Sequence, residues 1–289
     1  MAQFTFKAIG TSWQIDIYQK LDTHQETNIL SKIQNRIDLF DVAYSRFRTD
    51  SLVTQISKEA GDFTFPDDAQ ELFKVYQDLY TRTGGLFTPL IGQVLSDAGY
   101  DAHYSLKPRE HISVPPPLED VLTYHYPTLS VQKPVLLDFG AAGKGYLIDL
   151  VAKVLDEQGI TAYCINAGGD ILHKGSESIR VGLEDPQDSK HIIGIHTLGN
   201  GSICGSAGNR RAWGRFNHII NPKTGTSPTN IIAVWVMADS ALIADALTTC
   251  LFFVPADTLR KAYHFEYVLV RDDRSVEVSK HFSGEIFRV

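Results

Sequence analysis

Apolar positions recur along the chain with two different periods, and each period predicts a different kind of element. In residues 3–9 and 12–19 apolar and polar side chains alternate, as they do on half-buried strands, and Gly10 separates the two segments. In residues 24–43 the apolar positions return every three or four residues, which predicts a long amphipathic helix. A second such segment, 66–83, begins at a proline and stops at a glycine pair, as helices commonly do.

The same patterns assign elements to most of the chain. They predict helices over 24–43, 66–83, 90–97, 146–158, 239–252 and 256–263. They predict strands over 3–9, 12–19, 120–124, 128–131, 161–165, 170–174, 179–184, 191–198, 230–237, 265–271 and 275–279. Because the strands come in hairpin-like runs among long helices, we expect an α+β fold with mainly antiparallel sheet. We predict one domain over 1–289; two intimate subdomains meeting near residue 130 are the alternative.

Residues 134–149, PVLLDFGAAGKGYLID, carry the clearest chemical pattern. An apolar run predicted as a strand leads into a glycine-rich turn and then a helix. Backbone N–H groups at such a turn and the dipole of the helix favour a phosphate, and Lys144 adds positive charge. A Walker A loop is excluded, since Asp138 and Gly145 occupy positions that need Gly and Ser or Thr; a Rossmann fingerprint is excluded by Ile148.

Composition narrows the possible functions. The chain has 289 residues, 43% of them hydrophobic and 21% charged, and a net charge of −7. These values are typical of a globular protein, and without a dense run of Lys and Arg they argue against a nucleic-acid partner. No apolar run is long enough to span a membrane, and no signal peptide is visible, so we expect a cytoplasmic protein. The three cysteines lack metal spacing and are predicted to be buried free thiols.

Three polar side chains stand out as candidates for chemistry. Asp245 and Thr249 are four residues apart on a predicted helix, so they share one face of an otherwise apolar segment. They are either hydrogen-bonded to backbone or ligands of a hard cation such as Mg²⁺ or Mn²⁺. His218, predicted on a short strand, is either structural or a general base. Further glycine turns at 84–85, 168–169 and 205–208 suggest a cleft lined by backbone and suited to a long polyphosphate.

Taken together, these segments resemble the ApbE family of FAD:protein FMN transferases. The resemblance covers nearly the whole chain in the family's order. It rests on Gly10-Thr11, Ser45-Arg46-Phe47 with Ser51, Thr83-Gly84-Gly85-Leu86-Phe87, LLDFGAAGKGYLID at 136–149, CINAGGDI at 164–171, GLEDP at 182–186, His218 to Gly225, and ADALTT at 244–249.

The resemblance implies a specific activity and a set of site residues. The fold would be ApbE-like with an FAD-binding cleft, and the enzyme would use Mg²⁺ to move the FMN part of FAD to a Thr or Ser hydroxyl of an acceptor protein, releasing AMP. The implied metal ligands are Asp245, Thr249 and the Ala141 carbonyl, and His218 is the implied base. The implied nucleotide contacts are Gly10, Thr11, Leu86, Phe87, Thr88, Asp138, Lys144, Asn166, Gly168, Gly169, Ser206 and Gly208.

Three positions depart from the family's pattern. Thr88, Asn209 and Asn221 are neutral where the family commonly has a carboxylate. The departures keep two alternatives open, an FAD pyrophosphatase that gives FMN and AMP and a non-catalytic FAD-binding protein. If the metal assignment holds, the glycine turn and the helix that carries Asp245 must meet in space.

Overall fold

The computed structural model describes residues 1–287; positions 288 and 289 of the predicted domain lie outside the described residues. The α-helices are α1 (Thr23–Tyr44), α2 (Leu52–Ile56), α3 (Ala69–Arg82), α4 (Gly92–Asp97), α5 (Gly143–Glu157), α6 (Ala241–Cys250) and α7 (Ala256–Arg260). Short 3₁₀ turns cover Pro89–Ile91 and Leu118–Asp120.

The strands follow in chain order. They are β1 (Ala2–Ala8), β2 (Thr11–Ile17), β3 (Gly61–Thr64), β4 (Leu122–His125), β5 (Thr128–Val131), β6 (Tyr163–Ala167), β7 (Asp170–Lys174), β8 (Ile179–Glu184), β9 (Ile192–Leu198), β10 (Gly201–Ala207), β11 (Ala212–Trp213), β12 (Phe216–Asn217), β13 (Ile231–Ala238), β14 (Glu266–Arg271), β15 (Val276–Val278) and β16 (Gly284–Ile286).

One large sheet organises the molecule. Within residues 1–287 it contains eight strands in the order β1-β2-β6-β7-β10-β13-β14-β15, all antiparallel to their neighbours. The nearly all-apolar β13 lies inside the sheet, as expected. Smaller antiparallel sheets are β16-β9-β8, β3-β5-β4 and β11-β12. The predicted α+β class with mainly antiparallel sheet is therefore confirmed.

The large sheet buries both of its faces. Along β14, Tyr267 and Leu269 join the core formed with the helices, whereas Val268 and Val270 join a second core beneath the β16-β9-β8 sheet. This alternation follows from the two-residue period of a strand. Helix α1 covers part of the first core with the apolar face that its sequence predicts, and a reciprocal Asp22–Gln25 capping box starts it.

Helices α5 and α6 start side by side and stabilise each other's N-termini. Asp149 of α5 accepts hydrogen bonds from the backbone N–H groups of Ala241 and Leu242 at 2.9 and 2.8 Å, and from the Ser240 hydroxyl at 2.7 Å. Asp245 of α6 in turn accepts from the Gly145 N–H at 2.8 Å. Each carboxylate thus satisfies amide groups that the first turn of a helix leaves without a partner.

Several predicted boundaries and elements were wrong. Residues 134–138, expected to be a strand, belong to no sheet, because their backbone bonds to loops: Val135 N–H donates to Ile56 O and Asp138 N–H to Pro89 O. Helix α5 begins at Gly143 and so includes part of the glycine turn. Strand β10 was missed because its GSICGSA sequence lacks the bulky alternation of a typical strand.

Two simpler expectations can be compared with the structure. The three cysteines are buried and free, as predicted. Among residues 1–287, no helix combines the length and the apolar character needed to cross a bilayer.

The mutual capping of α5 and α6 gives a stability prediction. Replacing Asp149 with Ala leaves the first N–H groups of α6 without their acceptor, so the free energy of unfolding should fall by about 2 kcal/mol. Urea unfolding measures the change. Glu157→Ala, at the exposed end of the same helix, is the control and should change stability by less than about 0.5 kcal/mol. Equal unfolding midpoints for both variants would contradict the capping role.

Candidate functional site

A cleft of about 350 Å³ lies where the glycine turn, α6 and the ends of several strands meet. Its walls combine backbone-rich glycine turns with aromatic and charged side chains. The lining includes the predicted residues Thr11, Leu86, Phe87, Thr88, Asp138, Ala141, Lys144, Gly168, Gly169, Ser206, His218, Asp245 and Thr249. The cleft therefore brings together residues that are far apart in the sequence.

Asp245 lies at the base of this cleft. It is 5% exposed, and one carboxylate oxygen accepts from the Gly145 N–H at 2.8 Å. Burial raises the pKa of Asp245, while Lys144 and the amides of the glycine turn oppose the rise. The carboxylate also lines the cleft. The carboxylate thus holds the two segments together at a place where a ligand in the cleft can reach it.

The contact between the two segments requires a glycine at 145. A Cβ atom at this position would lie 2.1 Å from the Ala241 carbonyl oxygen and 2.6 Å from Cβ of Asp245. No side chain could be accommodated without moving α5 away from α6. The predicted meeting of the glycine turn with the helix that carries Asp245 is therefore a feature of the fold.

The oxygen groups around Asp245 fit a hard cation. Thr249 follows one turn later on α6, and Ala141 lies in the glycine turn; both line the cleft with Asp245. Neither the Thr249 hydroxyl nor the Ala141 carbonyl has a hydrogen-bond partner in the part of the chain that the structure describes. No cluster of three His, Cys, Asp or Glu forms a metal site in that same part. A single carboxylate with neutral oxygens is nevertheless the donor chemistry that Mg²⁺ uses when substrate phosphates complete its coordination.

Two ion pairs frame the glycine turn. Asp138 is paired with the buried Arg46, with Nε 2.5 Å from Oδ2. Lys144 is paired with Asp170, which is 1% exposed. Lys144 is itself partly exposed and lines the cleft, so its ammonium group can also contact a ligand there. The pairs hold both predicted nucleotide contacts in place before a ligand arrives.

His218 lines the cleft, but it does not lie on a strand as expected. The predicted strand at 218 is wrong: β12 ends at Asn217, and a turn closed by the Asn221–Thr226 bridge follows. The ring is partly exposed to the cleft, whereas its Nδ1 is buried without a partner in the described chain. Burial, with help from the cations Arg211 and Lys144, lowers the pKa of His218 to about 4. The imidazole is therefore neutral at neutral pH and able to accept a proton.

Three predicted contacts do not line the cleft. Gly10 forms the turn between β1 and β2 with φ +77°, and its neighbour Thr11 reaches the cleft instead. The Asn166 side chain accepts from the Gly169 N–H at 2.9 Å and so shapes the adjacent turn. Gly208 follows β10, and its N–H donates to Ile232 O. These three residues therefore shape the turns beside the cleft and do not line it.

The neutral departures from the family pattern have local structural roles. The Thr88 hydroxyl accepts from Leu90 N–H at 3.2 Å and starts a 3₁₀ turn. Asn209 donates to the carbonyl of Pro186. Asn221 accepts from Lys223 N–H at 2.9 Å inside its turn. Thr88 and Asn221 accept hydrogen bonds that a carboxylate could also accept. Asn209 instead donates one, which an ionised carboxylate could not do.

Sequence reasoning did not single out several side chains of the site. Arg46 and Asp170 are the partners of predicted residues, and Arg211 bonds the Tyr100 hydroxyl at 2.9 Å on the aromatic side of the cleft. Arg46 also lies over the Tyr100 ring, 4.9 Å from its centroid. Arg46 and Asp170 belong to segments that carry the family resemblance, but only their positions in space reveal what they contact.

Comparisons with known proteins agree on one family. A model of the ApbE family matches residues 9–267. The FAD:protein FMN transferase of Escherichia coli K12 is 23% identical over 292 residues, which cover 91% of this chain and 81% of the relative. An FAD:protein FMN transferase of Klebsiella pneumoniae is 26% identical over 281 residues, which cover 91% and 88%.

Solved structures show the same fold. The flavin transferase ApbE from Vibrio cholerae superposes with a TM-score of 0.80 at 23% identity, covering 97% of both chains. The ApbE protein from Thermotoga maritima gives 0.80 at 21% identity, covering 96% of this chain and 97% of its own. The predicted ApbE-like fold is thus confirmed, and because the family model matches far more than half of its residues, this chain belongs to the ApbE family.

Proposed function

We propose that this protein transfers the FMN part of FAD to a Thr or Ser hydroxyl of an acceptor protein and releases AMP, with Mg²⁺ as the metal. The observation that carries the proposal is the meeting of the glycine turn with Asp245 at the base of a cleft that also contains Lys144 and His218. Membership in the ApbE family and the names of the relatives support the same reaction.

The reaction requires a proton acceptor and a site for negative charge. The acceptor oxygen bonds to the phosphorus of the FMN phosphate, the bond between that phosphorus and the bridging oxygen breaks, and AMP leaves with the electron pair. A Thr or Ser hydroxyl is a weak nucleophile at neutral pH, so a base that removes its proton increases the rate. His218 is a histidine that lines the cleft, and its neutral ring has a nitrogen that can accept the proton.

The glycine turn supplies the site for the pyrophosphate. Helix α5 begins beside the cleft, so the positive end of its dipole is close to a bound anion, and Lys144 adds a charged donor. Asp170 and the Gly145–Asp245 contact hold these groups in place, so little reorganisation is needed when the substrate binds.

Asp245, Thr249 and the Ala141 carbonyl would hold the divalent cation. When bound, Mg²⁺ would neutralise negative charge on the phosphate oxygens. The chain contributes one carboxylate, which leaves the metal positively charged toward an anionic substrate. The turn fixes Ala141 by its backbone alone, so a residue without a functional side chain is sufficient there.

The metal assignment predicts the effect of Asp245→Asn. The amide oxygen can still accept from the Gly145 N–H, so the fold should hold, but the negative charge that attracts the cation is lost. Covalent labelling should fall at least about 100-fold, since a bound cation contributes several kcal/mol of charge stabilisation. The protein is incubated with FAD, Mg²⁺ and an acceptor domain that one of the related transferases modifies. In-gel flavin fluorescence then measures the covalent labelling.

Asp149→Asn is the matched control for this experiment. It removes the other carboxylate of the α5–α6 contact, which caps α6 and does not line the cleft. Below its unfolding temperature this variant should label the acceptor at a rate close to that of the unmodified protein. Undiminished labelling by Asp245→Asn would refute the metal assignment.

The environment of His218 predicts its titration. A histidine whose pKa is lowered stays neutral in the folded protein as the pH falls through 6.5, and it becomes protonated only near pH 4. An NMR titration of the imidazole resonances, with His218→Gln used to assign them among the 10 histidines, should place the His218 midpoint near 4. The same variant should slow transfer by about 10²–10⁴-fold. A midpoint near 6.5 would argue against a buried neutral base.

A further inference from the structure

The stretch on either side of His218 is basic, although the chain as a whole is acidic. Residues 192–238 contain no Asp or Glu, whereas the whole chain has a net charge of −7. Both signs of charge are normally interspersed on a protein surface, so a long stretch with cations alone calls for an explanation. The cations of this stretch are Arg210, Arg211, Arg215 and Lys223, which together we call the basic rim.

The fold places the basic rim on two turns that flank His218. The β11–β12 hairpin lies on one side: the His218 N–H donates to the Arg211 carbonyl at 3.1 Å, and Arg215 is in the turn between the two strands. The turn at 221–226 lies on the other side and carries Lys223. The proposed base therefore lies between two cationic turns.

The apolar side of the hairpin is buried, which leaves its cations at the surface. Trp213 and Phe216 are opposite each other on the two strands, are 8% and 3% exposed, and pack in the same apolar cluster as Tyr100. The Trp213 indole N–H also donates to the Ala98 carbonyl at 2.7 Å. The hairpin is thus fixed to the body of the protein before any partner binds.

Most of the charge on the basic rim is not neutralised within residues 1–287. There, only Arg210 of the rim forms an ion pair, with Glu184 at 3.1 Å. Arg215 and Lys223 are exposed and have no carboxylate partner in that part of the chain. Neither of them lines the cleft, so their charges stay available while a nucleotide occupies it. A partner that approaches His218 from outside the cleft meets these charges.

We propose that the basic rim is the docking surface for the acceptor protein and selects an acceptor with acidic residues beside the modified hydroxyl. The inference rests on the proposed function, because it takes His218 as the base that the acceptor hydroxyl must reach. A segment whose hydroxyl reaches His218 passes the cationic turns on either side of it. Carboxylates next to that hydroxyl are attracted there, and Lys or Arg side chains are repelled. Complementary charge of this kind determines which partners bind and how fast they associate.

Binding can be measured separately from the transfer reaction. The probe is an acceptor domain that one of the related transferases modifies, with its target Thr replaced by Ala. About four positions around the target are changed to Glu in one version and to Lys in another. Fluorescence anisotropy of the labelled domain, at saturating FAD and Mg²⁺, gives the Kd. The Glu version should bind at least about 10-fold more tightly than the Lys version, and added NaCl should reduce this difference.

Charge reversal on the enzyme tests the assignment to these residues. The double variant Arg215→Glu, Lys223→Glu should bind the Glu version about 10-fold more weakly, because two attractions become repulsions. Its Kd for FAD, from flavin fluorescence, should be unchanged. Lys20→Glu is the matched control, since Lys20 is exposed and follows the opposite end of β2 from Thr11, which lines the cleft. The control should keep the preference for the Glu version.

Equal Kd values for the Glu and Lys versions would overturn the inference, as would equal responses of the double variant and Lys20→Glu. A weaker affinity of the double variant for FAD would also overturn it, since the rim would then bind the nucleotide. Domains that retain the target Thr test the proposed function separately. If the Glu version binds preferentially but AMP is released without labelling, transfer fails and the docking surface stands. Labelling that favours the Lys version would support transfer and refute the role of the rim.

Discussion

The hydrogen bond from the Gly145 amide to the Asp245 carboxylate joins two segments that are 100 residues apart. It satisfies an amide at the start of α5 and fixes one oxygen of a buried carboxylate, so one contact serves both the fold and the site. The absence of a side chain at Gly145 permits it, since a Cβ there would collide with Ala241. The position of the α5 N-terminus beside the cleft and the orientation of Asp245 both depend on this approach.

Charge inside the cleft is arranged in pairs before any ligand binds. Arg46 neutralises Asp138, and Asp170 neutralises Lys144, so the buried charges have partners. Such pairs limit reorganisation when an anionic substrate arrives. His218 is the complementary case, a ring kept neutral by burial and by nearby cations. The site therefore contains both a carboxylate, which we propose binds the cation, and an uncharged histidine, which we propose is the base.

Much of the fold follows from sequence periodicity, but the site follows only in part. Helix α1 and the hairpin of β14 and β15 have strong patterns and were predicted within a few residues. Strand β10 was missed because small residues hide its period, and the extended segment 134–138 bonds to loops rather than to a strand. The metal ligands could be proposed from family resemblance and helix spacing. The partners Arg46 and Asp170 depend on contacts across long sequence separations that no local pattern encodes.

The central claim is that the cleft passes the FMN part of FAD to a protein hydroxyl. Measuring, in one reaction, the AMP released by chromatography and the flavin covalently bound to the acceptor by absorbance after denaturation tests it most directly. The account predicts equal amounts of the two products, both dependent on Mg²⁺. AMP released together with an equal amount of free FMN, and no labelled acceptor, would contradict transfer and indicate hydrolysis.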